Sequence, residues 1–295
     1  EQAGLVGSMG AIFSTVKDNT IRDIHVRQLF SGAEMAGIKL HGAIDSEISG
    51  NHIYRCARGM WLDWMTQGTQ VTGNLFHENN VYEDLFIEVN HGPYLVSSNV
   101  LLSPPTLYDN SQGGAFVHNL FAGKIVRSAE FNRQTPYLEA HSTKIAGLHN
   151  IQNGDNRFYN NMFVGANGLA DYDQAILPVH MDGNVFLNGA KPSKYESDPL
   201  VMNYDPDVKL TQDGAWQLQM EIDPAIVTYK NELIGTSSLG KTEISELPYV
   251  NFDGSKLRID SDYSGVERDS KNPSVGPFEK LKSGTATFNL QKCKG

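Results

Sequence analysis

The chain is poor in the features that usually assign a protein quickly. It has only two cysteines, Cys56 and Cys293, in 295 residues. Two are too few for a disulfide framework; Cys56 is expected to be a buried thiol and Cys293 a tail residue. No apolar run approaches the roughly 18 residues of a membrane span. The net charge of −10 comes without a block of like charge. An acidic chain of this kind repels nucleic acid and anionic membranes, so neither is expected as a partner. Metal-ligand motifs are missing: Asp171/Asp173 and Asp260/Asp262 come nearest to calcium ligands and fit solvated surface better. No metal and no cofactor is expected. Helical repeats are excluded because no unit shows an apolar stripe of period 3.6. The regular consensus of leucine-rich repeats is lacking as well.

What is present is a short repeat, apolar-x-x-Asn-x-apolar. It occurs at Ile48…Asn51-x-Ile53, Val71…Asn74-x-Phe76, Val96…Asn99-x-Leu101, Phe116…Asn119-x-Phe121, Phe158…Asn161-x-Phe163 and Met181…Asn184-x-Phe186. The asparagines are 23, 25, 20, 42 and 23 residues apart. A degenerate seventh copy is expected at Ile24…Arg27-x-Leu29, and the gap of 42 is expected to hide one overwritten copy. Between the copies lie short alternating runs bounded by turn residues, the pattern of strands. A period of twenty-odd residues built from strands predicts an all-β fold, a right-handed parallel β-helix in which each period is one coil. Asparagines recurring once per coil are expected to stack at a bend and hydrogen-bond along the axis.

Alignment of the coils places Gly37-Ile-Lys-Leu-His41, Gly59-Met-Trp-Leu-Asp63 and Asp84-Leu-Phe-Ile-Glu88 one above another. Alternation assigns Ile38, Leu40, Met60, Leu62, Trp64, Leu85, Ile87 and Val89 to the inside. Lys39, His41, Trp61, Asp63, Phe86 and Glu88 then face outward. His41, Asp63 and Glu88 form one outward column, with Asp109 expected as a fourth member. Neighbouring strands are about 4.8 Å apart. Two carboxyls one coil apart therefore match the roughly 5–5.5 Å of a retaining glycosidase, and Asp63 with Asp109, two coils apart, would match an inverting one. Adjacent acids do not both ionise cheaply, so one is expected to hold its proton. Trp61 and Phe86, expected to be exposed on the same face, suit a sugar ring.

The stretches Gly59-Met-Trp-Leu-Asp-Trp-Met-Thr-Gln-Gly68 and Asp84-Leu-Phe-Ile-Glu-Val-Asn-His-Gly-Pro93 resemble the β-helix β-xylosidases of glycoside hydrolase family 120, as do residues 111–123 and 135–150. The resemblance covers most of residues 20–190. It implies a retaining, exo-acting enzyme that releases xylose from xylo-oligosaccharides, with Asp63 as nucleophile and Glu88 as acid/base. His41, Trp61, Phe86, Asn90, His91, Asp109 and His141 are the expected substrate-binding residues, and His118 is expected to be structural. Family members are longer than this chain and carry a β-sandwich besides the β-helix. Residues 1–20 are thin as a cap, and there is neither an initiator Met nor a signal-peptide pattern. The chain is therefore expected to be the C-terminal part of a longer protein, or to pair with a missing N-terminal segment; a homo-oligomer and a cytoplasmic location stay open.

Residues 1–200 are assigned to the β-helix, with a loop insertion at about 124–157 walling the site. The pattern changes over residues 201–295. There Trp216-Gln-Leu-Gln-Met-Glu-Ile222 alternates strictly, residues 251–255 signal a turn, and residues 285–290 read as a last strand. They are expected to form an appended, sandwich-like β region closing the C-terminal end. Two other functions compete. A non-catalytic glycan-binding β-helix needs only the aromatics. A polysaccharide lyase needs a basic residue such as Arg127 or Lys124, and the acid column suits it poorly.

Overall fold

A computed structural model describes residues 2–29 and 34–290. The chain winds as a right-handed parallel β-helix, and successive coils add strands to three parallel sheets. Among the described residues the first sheet has six strands: Ala3–Gly7, Ala36–Leu40, Met60–Leu62, Leu85–Glu88, Leu107–Asn110 and Ile125–Arg127. The second has seven, beginning Thr15–Lys17, Glu47–Ser49 and Gln70–Thr72, and the third has eight, from Thr20–Arg22 to Leu200–Met202. No helix among the described residues is long and apolar enough to cross a membrane.

The recurring motif is the corner between the second and third sheets. Its first apolar residue ends inside on the second sheet, and its last lies inside on the third. Ile48, Val71, Val96, Phe116 and Phe158 form one buried column, and Ile53, Phe76, Leu101, Phe121, Phe163 and Phe186 another. Like side chains stack directly: the Phe116 and Phe158 ring centres are 4.6 Å apart, and those of Phe163 and Phe186 5.1 Å. The residue before each asparagine has a left-handed backbone: Asp18, Gly50, Gly73, Ser98, His118, Asn160 and Gly183. That one residue turns the chain sharply and leaves the next backbone N–H without a strand partner. The asparagine side chains supply it. Asn51 N and Nδ2 donate to Asn74 Oδ1 at 2.9 and 3.0 Å, while Asn51 Nδ2 also donates to Val16 O at 2.8 Å. The same bonds recur through Asn99, Asn119, Asn161 and Asn184. At the far end Glu196 accepts from Asn184 Nδ2 at 2.8 Å.

Two expectations about the repeat are corrected. The seventh rung is Val16…Asn19-x-Ile21, because Asn19 donates to Asn51 Oδ1 at 3.0 Å and Ile21 lies beside Ile53. At the position expected from the sequence, Leu29 is exposed. The gap of 42 residues hides no lost coil. Asn119 bonds Asn161 directly and Phe116 pairs with Phe158, so the extra length is an excursion within one coil. That excursion is an antiparallel hairpin of Glu130–Leu138 and Ile145–Ile151 rather than a loop.

Beyond residue 202 the chain runs back along the flank of the coil. Lys209–Asp213, Ala215–Ile222 and Gly284–Asn289 form an antiparallel sheet. Its inner residues Leu218, Met220 and Ile222 pack on Leu75, Val100, Leu120 and Val185, the outer face of the third sheet. Ile234, Leu239, Tyr249 and Leu257 cover Leu95, Ala115 and Val117 on the second. The appended region thus covers apolar outer faces along the side of the coil, and Tyr229 reaches its last turn, donating to Asp198 O at 2.6 Å. Cys56 is a buried free thiol, and Cys293 lies outside the described residues.

Candidate active site

The ladder register of the first sheet decides which side chains meet. Leu40, Leu62 and Ile87 are partners on successive strands, so the next residues, His41, Asp63 and Glu88, follow one another along the axis. Lys39, Trp61, Phe86 and Tyr108 form the neighbouring outward row.

Asp63 is the hub. Its Oδ2 lies 2.7 Å from Lys39 Nζ and 2.8 Å from His41 Nε2, and its Oδ1 accepts the Trp64 N–H at 2.7 Å. Glu34 stands behind both bases, 3.6 Å from Lys39 Nζ and 3.7 Å from His41 Nε2. Lys39 is completely buried, a costly place for an ammonium unless it is paired. Here it is paired with Asp63 and lies 3.0 Å from the centre of the Trp61 ring.

Glu88 accepts the Trp61 Nε1–H at 3.0 Å, and Arg133 of the hairpin reaches to 3.9 Å from its Oε1. Burial, helped by the charge of Asp63 beside it, pushes the Glu88 carboxyl up to about 7. Trp61 and Arg133 act in the opposite direction. The two acids are therefore inequivalent: one is met by the Lys39 ammonium, and the other keeps a proton near neutrality.

The other expected site residues divide. His41 and Trp61 touch the acids. Trp61 and Phe86 are not open platforms, however. Both are buried, because the Arg58 guanidinium lies 4.4 and 4.6 Å from their ring centres and is itself ion-paired with Glu83. Asp109 is one residue out of the column. It pairs with Ile87, so its carboxyl points into the coil, where it accepts from Tyr172 Oη at 2.5 Å and Asn156 Nδ2 at 3.0 Å. Asn110 occupies the position opposite Glu88. Asn90 is part of a second corner ladder: it accepts from Thr66 N at 2.6 Å and donates to Leu62 O at 3.2 Å. His91 is buried between Gln112 Nε2 at 2.8 Å and Thr135 O at 3.0 Å, where burial pushes its imidazole down to about 4. It fastens the hairpin to the coil. His141, at the hairpin tip, pairs with Asp45 at 2.9 Å.

Sequence reasoning misses Glu34, Trp64 and the importance of Lys39. The outward phase of Lys39 is legible, but not its reach to Asp63. Continued alternation assigns Trp64 to the inside, yet the strand ends at Leu62, and Trp64 sits half-buried under Arg133, 5.5 Å from its guanidinium. Of the acidic pairs, Asp173 Oδ1 accepts from Ser193 Oγ and Lys194 N on a segment some twenty residues on, and Asp262 Oδ1 accepts from Ser264 N and Val266 N within its own turn. Among the described residues no group of three or more His, Cys, Asp or Glu could hold a metal.

The comparisons with known proteins agree with this architecture. Residues 6–163 match the model of the right handed beta helix region. The solved complex of XylC with xylose superposes with a TM-score of 0.91 at 35% identity, over 98% of this chain. The chain spans 50% of the length of that protein. No curated protein matches it. The chain belongs to the right-handed β-helix family, and its coil is of the glycoside hydrolase family 120 β-xylosidase-like kind.

Proposed function

We propose that the chain carries the catalytic acids of a retaining, exo-acting β-xylosidase that releases xylose from xylo-oligosaccharides. The observation that supports this most is the pairing of Asp63 with Glu88 on neighbouring coils, one set among bases and the other holding a proton up to about pH 7. The likeness to a protein solved with xylose supports the sugar class.

In this reading Asp63 attacks the anomeric carbon, and Glu88 gives its proton to the departing glycosidic oxygen. The ester that forms at Asp63 carries no charge. The repulsion that helped hold a proton on Glu88 then disappears, so Glu88 stays ionised near neutrality, the form that can take a proton from water. Attack of that water on the same carbon restores Asp63 and releases xylose with retained configuration. Lys39 and His41 hold the attacking carboxylate in place, and Trp61 orients Glu88.

The test is turnover of an aryl β-xyloside by Asp63→Ala, with and without azide. Loss of turnover and azide-dependent formation of the inverted xylosyl azide are expected. Full activity without azide would overturn the assignment. Trapping with a 2-fluoro xyloside should add the sugar mass to the peptide containing Asp63.

A further inference from the structure

The outward column that carries His41, Asp63 and Glu88 does not stop at the acids. Its next member is Asn110, which pairs with Glu88 in the ladder and lies one coil further along the axis, about 4.8 Å on. Ser128 comes after it, since Arg127 pairs with Asp109. Both are uncharged. Ser128 is engaged, donating from Oγ to Tyr108 Oη at 3.2 Å. Asn110 differs: its Oδ1 is withdrawn from water yet has no hydrogen-bond partner. The asparagines of the corners are bonded through both amide atoms, as Asn99 is to Asn74 and Val71. A buried amide oxygen without a donor is costly, and a ligand that brings a donor removes that cost.

Displacement at an anomeric carbon runs in line. With Asp63 on one side of that carbon, the bond that breaks points away from Asp63, toward Glu88 and the part of the column beyond it. The leaving sugar of a xylo-oligosaccharide then lies over Asn110. Each of its hydroxyls can donate and accept. The Asn110 amide turns about its last side-chain bond, so it can meet such a hydroxyl with its oxygen or with its NH2 group.

We propose that Asn110 binds a hydroxyl of the leaving sugar and so favours xylo-oligosaccharides over xylosides whose leaving group lacks hydroxyls. This rests on the roles proposed above for Asp63 and Glu88, and it adds a subsite on the far side of Glu88. A neutral amide suits the place. It offers a hydrogen bond to an uncharged sugar and sets no further charge beside the acid that gives up the proton.

The experiment measures kcat/KM of the full chain on xylobiose and on phenyl β-xyloside, because this parameter reports the loss of transition-state stabilisation up to departure of the leaving group. The ratio of the xylobiose value to the phenyl xyloside value should fall about tenfold in Asn110→Ala, the worth of one hydrogen bond to the bound sugar. Asn110→Leu, close in volume and without a polar group, should lower the ratio as much. A ratio that stays at the wild-type value in both variants, whether or not overall activity falls, would overturn the subsite and leave the assignment of the acids standing. A wild-type chain that turns over neither substrate and takes up no 2-fluoro xyloside would overturn the reading of the acids, and the subsite with it.

Discussion

Lys39 Nζ lies 2.7 Å from Asp63 Oδ2, and both side chains are almost entirely withdrawn from water, at 1% and 8% exposure. Such a pair holds its geometry rigidly, and removing one partner strands the other charge. Lys39→Met is therefore expected to lower kcat on an aryl β-xyloside by about 100-fold or more, the scale of one lost electrostatic contact in a buried site. Steady-state kinetics check this, and an unchanged kcat would show that Lys39 serves packing alone.

The pH dependence follows from Glu88. Its carboxyl is raised from 4.5 to about 7, so the folded protein binds this proton more tightly than the unfolded chain does. In its proposed role of general acid, Glu88 works in the protonated form that prevails below about 7, so kcat/KM is expected to fall about tenfold per pH unit on the alkaline side. Arg133 pulls the carboxyl down, so Arg133→Met should move that alkaline limb to higher pH. The stability contribution has the same sign: it is complete below pH 4.5 and is lost as pH rises through about 7. Glu88→Gln should remove the alkaline limb; a limb that persists would assign it to another group.

The asparagine ladder makes a stability prediction. Asn99 Oδ1 accepts from Asn74 N and Nδ2, each at 2.9 Å, and its Nδ2 donates to Val71 O at 2.9 Å, all in the buried interior. Asn99→Ala removes these bonds and the one from Asn99 Nδ2 to Asn119 Oδ1, so two donors and two acceptors each lose a partner. A loss of about 3 kcal/mol is expected, read from the urea midpoint, whereas Asn251→Ala in an exposed turn should change little.

Arg157 ties the appended region to the coil. Its guanidinium pairs with Asp155, and its Nε donates to Leu239 O at 3.0 Å. Arg157→Met leaves Asp155 buried without its cation, at a cost of about 3–5 kcal/mol. Hydrogen exchange at residues 239–243 should accelerate markedly, with exchange in the Phe columns of the core unaffected.

Fold and site are legible in the residues where geometry is local and periodic, and illegible where the period breaks. Asp63 and Glu88 fall in register because each ends an alternating run of the same phase. Asp109 is misplaced by the pattern because the Leu107–Asn110 strand enters the sheet one residue later relative to its aspartate. Asn90 and His91 look like site residues beside Glu88, but a bend follows Val89, which has a left-handed backbone, and turns them inward to hold the corner. Trp64 fails for the complementary reason, since alternation ceases where its strand does.

What the chain determines by itself is the coil. One apolar residue on each side of a recurrent asparagine is enough, because parallel stacking buries like on like and lets each amide satisfy the next corner. Only the folded structure decided how the site is furnished. Lys39 and Arg133 come to the two acids from a preceding coil and a hairpin, and Glu34 comes to Lys39 from a connecting segment. Their positions depend on long side chains and on where an excursion folds back, and no spacing along the chain encodes those distances.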